Sequence, residues 1–182
     1  MEPLFADGLM LRPLTRRDVP AFVEAVRESY TTVARWMNWW RSDYSRADAK
    51  LWIAQADKNL QEETGYEMGV FTADGKIFLG SAGLNLFNRE HNFCNLGYWV
   101  RESRQGQGIA TRAARALAEF GFRELKLARI EIVVAQDNLP SQRVAQKIGA
   151  TFEGVARNRL LIAGRSHAAV VYSLISAQAL NV

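Results

Sequence analysis

The sequence predicts a mixed α/β fold in one domain, residues 1–182, and three observations predict it. Runs of strand period and runs of helical period succeed one another in the order β, α, α, βββ, α, β, α, ββ. Turn signals at Ala73-Asp74-Gly75-Lys76 and Ala163-Gly164-Arg165 join neighbouring strand runs as hairpins. No linker, internal repeat or low-complexity tract interrupts the chain, and 182 residues with 48% hydrophobic content suffice for one full core.

Taken in order, residues 8–14 alternate as a first strand. Thr15-Arg16-Arg17-Asp18 reads as a capping box that opens a helix through about Arg27. Tyr30, Trp36, Trp39 and Trp40 then crowd one short segment. Neighbouring tryptophans cannot all face one core, so this patch is expected to wall a cleft or an interface, although Trp36 by itself reads as core. Ser45 with Asp48 gives a second capping box, and Trp52, Ala56 and Leu60 recur at helical spacing as far as Thr64-Gly65. Residues 66–72 and 77–87 read as the two strands of a hairpin, and a polar break at 88–91 precedes a third strand at 92–100. In the helix after Gly108, the residues Ala110, Ala113, Ala114, Leu117, Ala118 and Gly121 form a face of mostly small side chains that can lie close to a sheet. Residues 130–135 are β-branched and apolar, as a buried strand requires. Asn138 is placed to cap a helix with Pro140 in its first turn, and Gly149 ends it. Strands at 151–161 and 166–174 close the chain.

The passage from strand 92–100 into the alanine-rich helix carries the most chemistry. The first turn of a helix leaves N–H groups without intrahelical partners, and the helix dipole adds positive charge there. Gly106 and Gly108 let an anion come close to that backbone, so the turn suits a phosphate or pyrophosphate. A dinucleotide fingerprint would need glycine at Thr111, and a P-loop would need Lys-Ser/Thr after Gly108, where Ile109 and Ala110 stand. The net charge of +4 has the same address. Residues 101–129 hold seven basic side chains (Arg101, Arg104, Arg112, Arg115, Arg123, Lys126, Arg129) against three acidic ones, which accounts for the whole surplus. These cations either hold several phosphates or make a solvated helix face. No interleaving of aromatic and basic residues accompanies them, so direct nucleic-acid binding is not expected. With His91 and His167 the only histidines and no Cys/His cluster, no metal is expected. The single cysteine, Cys94, lies within a strand run and reads as a packed thiol. The lack of a long apolar run predicts a soluble, cytoplasmic protein without a membrane partner.

Gln105, Gly108 and Ala110 fit the pattern Q/R-x-x-G-x-G/A, which resembles the acetyl-CoA pyrophosphate loop of the GNAT superfamily of N-acetyltransferases. Asn138-x-x-Ser141, followed by Val144, Ala145, Lys147, Ile148 and Gly149, then Phe152, Glu153 and Gly154, is similar to its ribosomal-protein N-terminal (alanine/serine) acetyltransferase branch. So are Gly97-Tyr98-Trp99-Val100, Trp36-Met37-Asn38-Trp39 and Tyr172-Ser173-Leu174, in family order and across nearly the whole chain. The resemblance implies a GNAT fold, a central and mostly antiparallel sheet splayed between strands 92–100 and 130–135 and flanked by helices. It implies acetyl-CoA as cosubstrate, with Trp99 and Val100 offering backbone groups to the pantetheine arm. Arg104, Gln105, Gly106, Gln107, Gly108, Ile109, Ala110 and Thr111 would surround the pyrophosphate. Asn138 would face the pantetheine and Ser141 would stand near the thioester sulfur. A homodimer is implied on the same ground.

Acetyl transfer needs a neutral amine, a polarised carbonyl and a proton for the departing thiolate. Where similar enzymes carry a glutamate just before Leu-Gly-Tyr, this chain has Asn95, which cannot act as a base. Glu67, Glu90, His91 and Glu131 are the remaining candidates, directly or through water. An α-amino group titrates near ~8 and loses its proton at pH 7 for about 1 kcal/mol, whereas a lysine-type amine near ~10.4 requires roughly 4–5 kcal/mol. A site without a strong base therefore suits a protein or peptide N-terminus. Ser141 reads either as a proton donor to the thiolate, alongside Asn138, or as a first-turn serine satisfying helix N–H groups. Tyr30, Trp36, Trp39 and Trp40 are the expected acceptor wall. His167 precedes Ala168, where relatives frequently carry an aspartate. Three functions follow: acetylation of a protein N-terminus, acetylation of a small amine such as an antibiotic, polyamine or amino acid, or non-catalytic binding of an acyl-CoA.

Overall fold

A computed structural model describes residues 1–39 and 41–176, so Trp40 lies outside the described residues. The elements are β1 (Leu4–Ala6), β2 (Leu9–Pro13), α1 (Val19–Glu28), α2 (Tyr30–Val33), α3 (Arg46–Gln61), β3 (Tyr66–Thr72), β4 (Phe78–Asn88), β5 (Phe93–Val100), α4 (Ile109–Arg123), β6 (Arg129–Ala135), α5 (Leu139–Lys147), β7 (Thr151–Ile162) and β8 (Arg165–Ile175). The strands form one eight-stranded sheet in the order β1-β2-β3-β4-β5-β6-β8-β7.

The first strand of the sequence reading is two strands. Asp7 and Gly8 take left-handed backbone, φ 46 and 77, and turn the chain between β1 and β2. A three-residue strand is too short to show a period, which is why β1 escaped the pattern. The first helix opens as a single 3-10 turn at Arg16–Asp18 before α1. There the Asp18 carboxylate accepts from Thr15 N–H at 2.7 Å and from two Arg12 nitrogens at 2.8 Å. Around α3 the Ser45–Asp48 box forms as the spacing predicts, with bonds of 2.8 Å and 3.2 Å running in the two directions.

α4 packs across one face of the sheet. Its buried residues Ala113, Ala114, Leu117 and Gly121 lie on the core that holds Leu84, Leu96, Ile130 and Ile132. A Cβ at Gly121 would stand 2.9 Å from the Ile130 side chain and 3.1 Å from Leu84, so the missing side chain sets how closely helix and sheet approach. The other face carries a second core, in which Phe22 of α1 stacks on Trp52 of α3 at 5.1 Å and meets Phe78 and Trp99 edge-on or tilted.

All strand neighbours are antiparallel except β5 and β6. That pair is parallel and registered only at Phe93↔Arg129, Cys94↔Ile130 and Asn95↔Glu131. β5 continues to Val100 against β4, and β6 to Ala135 against β8. Their facing edges therefore separate beyond Asn95, and this open gap positions the site.

Candidate active site

The chain leaves β5 tied to the first helices. Arg101 donates to Glu28 at 3.0 Å, to Glu24 at 2.6 Å and to the Phe78 carbonyl at 3.3 Å. Ser103 N–H reaches the other Glu28 oxygen at 2.7 Å, and Glu102 N–H reaches Ser29 Oγ at 3.0 Å. Hydrogen bonds from Arg101, and then from Ser103, hold the Glu28 carboxyl down at about 2. Gln105 turns its amide inward, donating to the Val100 carbonyl at 3.1 Å and to the Thr32 hydroxyl at 3.3 Å. Side chains thus fix both ends of the turn's first half and leave the backbone that follows free.

Gly106 and Gly108 adopt φ 76 and 74, and nothing lies within 4 Å of where a Cβ would stand on either. The first bond of α4 runs from Arg112 N–H to the Gly108 carbonyl at 3.1 Å. Among the described residues, no protein acceptor takes the N–H groups of Gly106 to Thr111. They form a row of unpaired donors at a helix N-terminus, beside a cavity of about 450 Å³. Gly106, Gly108, Ile109, Ala110 and Thr111 line that cavity, together with Tyr98, Trp99 and Val100 of β5 and Asn138 and Ser141 of α5. Gln107 does not; its carbonyl accepts from Arg112 at 3.5 Å.

The basic surplus divides in an unexpected way. Of the seven cations between 101 and 129, only Arg104 lines the cavity, whereas Arg101 is bonded to α1 and Arg129 to Glu131 and Glu153. Two cations from α5, Arg143 and Lys147, line it as well. Among the described residues none of Arg104, Arg143 and Lys147 has a carboxylate partner. Local charge counting along α4 could not find the α5 pair, because a different helix brings them to the site.

Across the gap, Asn138 Oδ1 accepts from Ser141 N–H at 3.2 Å and caps α5. The capping task that Ser141 could have performed is therefore already filled. Ser141 instead bonds Tyr98, which the sequence marks only as part of the Gly97-Tyr98-Trp99-Val100 strand, with no role of its own. The Tyr98 hydroxyl donates its single proton to the Ser141 carbonyl at 3.0 Å, so Ser141 Oγ, 3.2 Å away, must donate to it. Burial pushes the Tyr98 hydroxyl up to about 12, and it stays protonated. Burial likewise pushes the Cys94 thiol to about 12, which leaves it inert.

The aromatic segment splits. Trp36, expected in the core when taken alone, lines the cavity with Thr32, Val33 and Met37, and Arg35 lies 4.7 Å over its ring. Trp39 packs edge-on against Tyr44 at 5.9 Å and Trp99 at 6.4 Å, within the second core. Tyr30 is exposed and does not line the cavity. Asn38 reaches across to the β7–β8 hairpin, donating to the Leu161 carbonyl and accepting from Ala163 N–H at 3.1 Å.

Of the base candidates, Glu90 and His91 are exposed in the β4–β5 turn. Glu131 is 3.0 Å from Arg129, which also grips Glu153 and, with Ser173, holds that carboxyl at about 2. Glu67 differs. Burial pushes its carboxyl above the usual range, against the hydrogen bond it accepts from the neutral Asn85 amide at 2.8 Å.

The sequence profile of the acetyltransferase (GNAT) domain matches residues 8–151. The chain belongs to the GNAT acetyltransferase family. It is 29% identical over 93% of its length, and 92% of the relative's, to YdaF of Bacillus subtilis, provisionally named a ribosomal N-acetyltransferase. A solved structure from Vibrio cholerae, provisionally named a ribosomal-protein-serine acetyltransferase, superposes with a TM-score of 0.85 at 34% identity, covering 96% of this chain and 97% of that one. The spermidine N(1)-acetyltransferase of Escherichia coli is 26% identical over 91% of this chain and 84% of its own. The GNAT chain is an acetyl-CoA-dependent acetyltransferase with the splayed mixed sheet of its family, flanked among the described residues by the five α-helices given above. Membership of this enzyme family sets aside the non-catalytic reading. No helix among the described residues is long and apolar enough to cross a membrane.

The residues present fit the cosubstrate. A Cβ at Gly106 or Gly108 would project into open space, and the unpaired amides beside it need an anion or water to satisfy them.

Proposed function

We propose that this GNAT enzyme acetylates the N-terminal α-amino group of a protein or peptide in the cytoplasm. The amides of Gly106 to Thr111, with Arg104, Arg143 and Lys147 around them, hold the phosphates of acetyl-CoA. The pantetheine arm lies along the open edge of β5 at Trp99 and Val100, with Asn138 facing it. Thr32, Trp36 and Met37 wall the acceptor side. Ser141 releases its bond to Tyr98 and hands a hydrogen bond to the departing thiolate sulfur, which the neutral Tyr98 hydroxyl cannot oppose with charge.

One observation carries the choice of acceptor: among the described residues no carboxylate lines the cavity. A polyamine's several positive charges find no anionic partner in such a lining, whereas an α-amine needs little help to lose its proton. The names of the Bacillus subtilis and Vibrio cholerae relatives point the same way. The likeness to the Escherichia coli spermidine enzyme supports a small-amine acceptor as the second reading.

Release of CoA thiol, with mass analysis of the products, tests this on peptides beginning with alanine or serine beside spermidine. Peptides acetylated at the N-terminus and spermidine left untouched is the expected result. Inert peptides with rapid spermidine turnover would overturn it.

A further inference from the structure

A row of polar side chains crosses the sheet face turned away from α4, where the aliphatic pattern would place apolar ones. Glu67 on β3, Asn85 on β4 and Asn95 on β5 are joined in series. Asn85 Nδ2 donates to Glu67 Oε1 at 2.8 Å, and Asn95 Nδ2 donates to Asn85 Oδ1 at 2.9 Å. Asn85 and Asn95 are direct partners across β4 and β5, and Glu67 opposes Gly83 on β4. A Cβ at Gly83 would collide with the Glu67 carboxyl, so the glycine is what allows that side chain to lie over the sheet and reach Asn85.

The direction of the row is decided at its closed end. Asn85 turns its NH2 toward Glu67, and its carbonyl oxygen therefore faces Asn95. Asn95 must then answer with its own NH2. That leaves Asn95 Oδ1 pointing away from the row, and no described residue donates to it. Asn95 is also the last residue of β5 in register with β6 before the gap opens. Its strand neighbour, Glu131, is committed to Arg129. A lone acceptor oxygen, oriented by a chain of bonds and standing at the vertex of the gap, has a use in this reaction.

We propose that Asn95 Oδ1 accepts a hydrogen bond from the incoming amine and so aims its lone pair at the thioester. Glu67 is the positioning residue that fixes this orientation through Asn85. Bonds in series polarise one another, so the carboxylate also strengthens the acceptor at the far end. The inference rests on the reading that the amine attacks at the mouth of the β5–β6 gap. It does not depend on whether the amine belongs to a peptide or a small molecule.

The test uses the full chain and whichever of the alanine peptide, the serine peptide or spermidine it acetylates. Asn95→Leu is expected to lower kcat/KM for the amine by roughly tenfold, the effect of one lost hydrogen bond, with KM for acetyl-CoA unchanged. Asn95→Asp sets an acceptor against the Asn85 carbonyl oxygen, breaks the row at that link and is not expected to restore the loss. Glu67→Gln, whose amide can face either way, gives a smaller fall of roughly threefold. Wild-type kcat/KM in both Asn95→Leu and Glu67→Gln would overturn the proposal. A second measurement needs no acceptor: nitrogen-15 spectra of the side-chain amides. The Asn95 NH2 is expected to exchange slowly with solvent and to shift on Glu67→Gln. Exchange at the rate of a free asparagine would also overturn the proposal, whereas a preference for spermidine would sink only the acceptor assignment above.

Discussion

The two sides of the β5–β6 gap are built from different materials. On the side of the turn after β5, unpaired main-chain donors from Gly106 to Thr111 stand beside the cavity, and side chains such as Arg101 and Gln105 hold that backbone in place. On the other side the features are side chains, Trp36 at the cavity, Asn38 at the β7–β8 hairpin and Asn95 where β5 leaves β6, supplied by distant parts of the sequence. A site made of backbone is encoded locally by where glycines fall. A site made of side chains depends on which strands the fold places next to one another. The first kind tolerates replacement of most of its residues, and the second kind is open to drift in specificity.

The sharpest break in that contrast is at Gly108. Valine there must adopt φ 74 and would push its methyl groups into the space beside the unpaired amides. Gly108→Val is expected to weaken acetyl-CoA by at least roughly 100-fold in calorimetry, the sum of backbone strain and lost donors. Gln107→Ala, a side-chain change in the same turn, should leave the affinity within about twofold, because that side chain does not line the cavity. Equal losses in the two variants would contradict a backbone-built site.

Ser141→Ala comes next. Turnover should fall by roughly 100-fold with little change in acetyl-CoA affinity if the hydroxyl serves the leaving sulfur. An unchanged kcat would leave Ser141 as a partner of Tyr98 alone. On the acceptor side, Asn38→Ala removes the tie to the β7–β8 hairpin and is expected to raise the acceptor KM by about fivefold while sparing the cosubstrate, as loss of about 1 kcal/mol implies.

Lys147→Ala should weaken acetyl-CoA by about threefold, and less at high salt, since exposed charges are screened. The smallest effect concerns acid. The Glu28 carboxyl titrates near 4.5 when unfolded and at about 2 in the fold. Its depressed value means that its contribution to stability is present above pH 4.5 and is lost as the pH falls toward 2. Thermal melts across that range should show Glu28→Gln losing its deficit relative to the parent chain as acidity rises.

The same division explains what could be read from the chain alone. The turn at 105–111, the small face of α4 and the Asn138 cap were legible because each is a short pattern with one physical reason. The splay showed no pattern of its own; it came only through family likeness, since a parallel pair that stops after Asn95 leaves no mark in hydrophobic period. Tyr98 looked like one more aromatic in a strand until α5 put Ser141 beside it. Arg143 carries no signal of its own, Lys147 stands only within the family pattern, and Trp36 taken alone reads as core, because exposure of a side chain is settled by neighbours that local spacing does not name. Glu67 was visible as a carboxylate, but its tie to Asn95 passes through Asn85, and strand order alone supplies that link.

The Asn38 tie to the hairpin has a topological meaning. With the tryptophan-bearing segment joined to residues 161 and 163, two stretches 123 and 125 residues apart in sequence are held as one piece by a single side-chain amide.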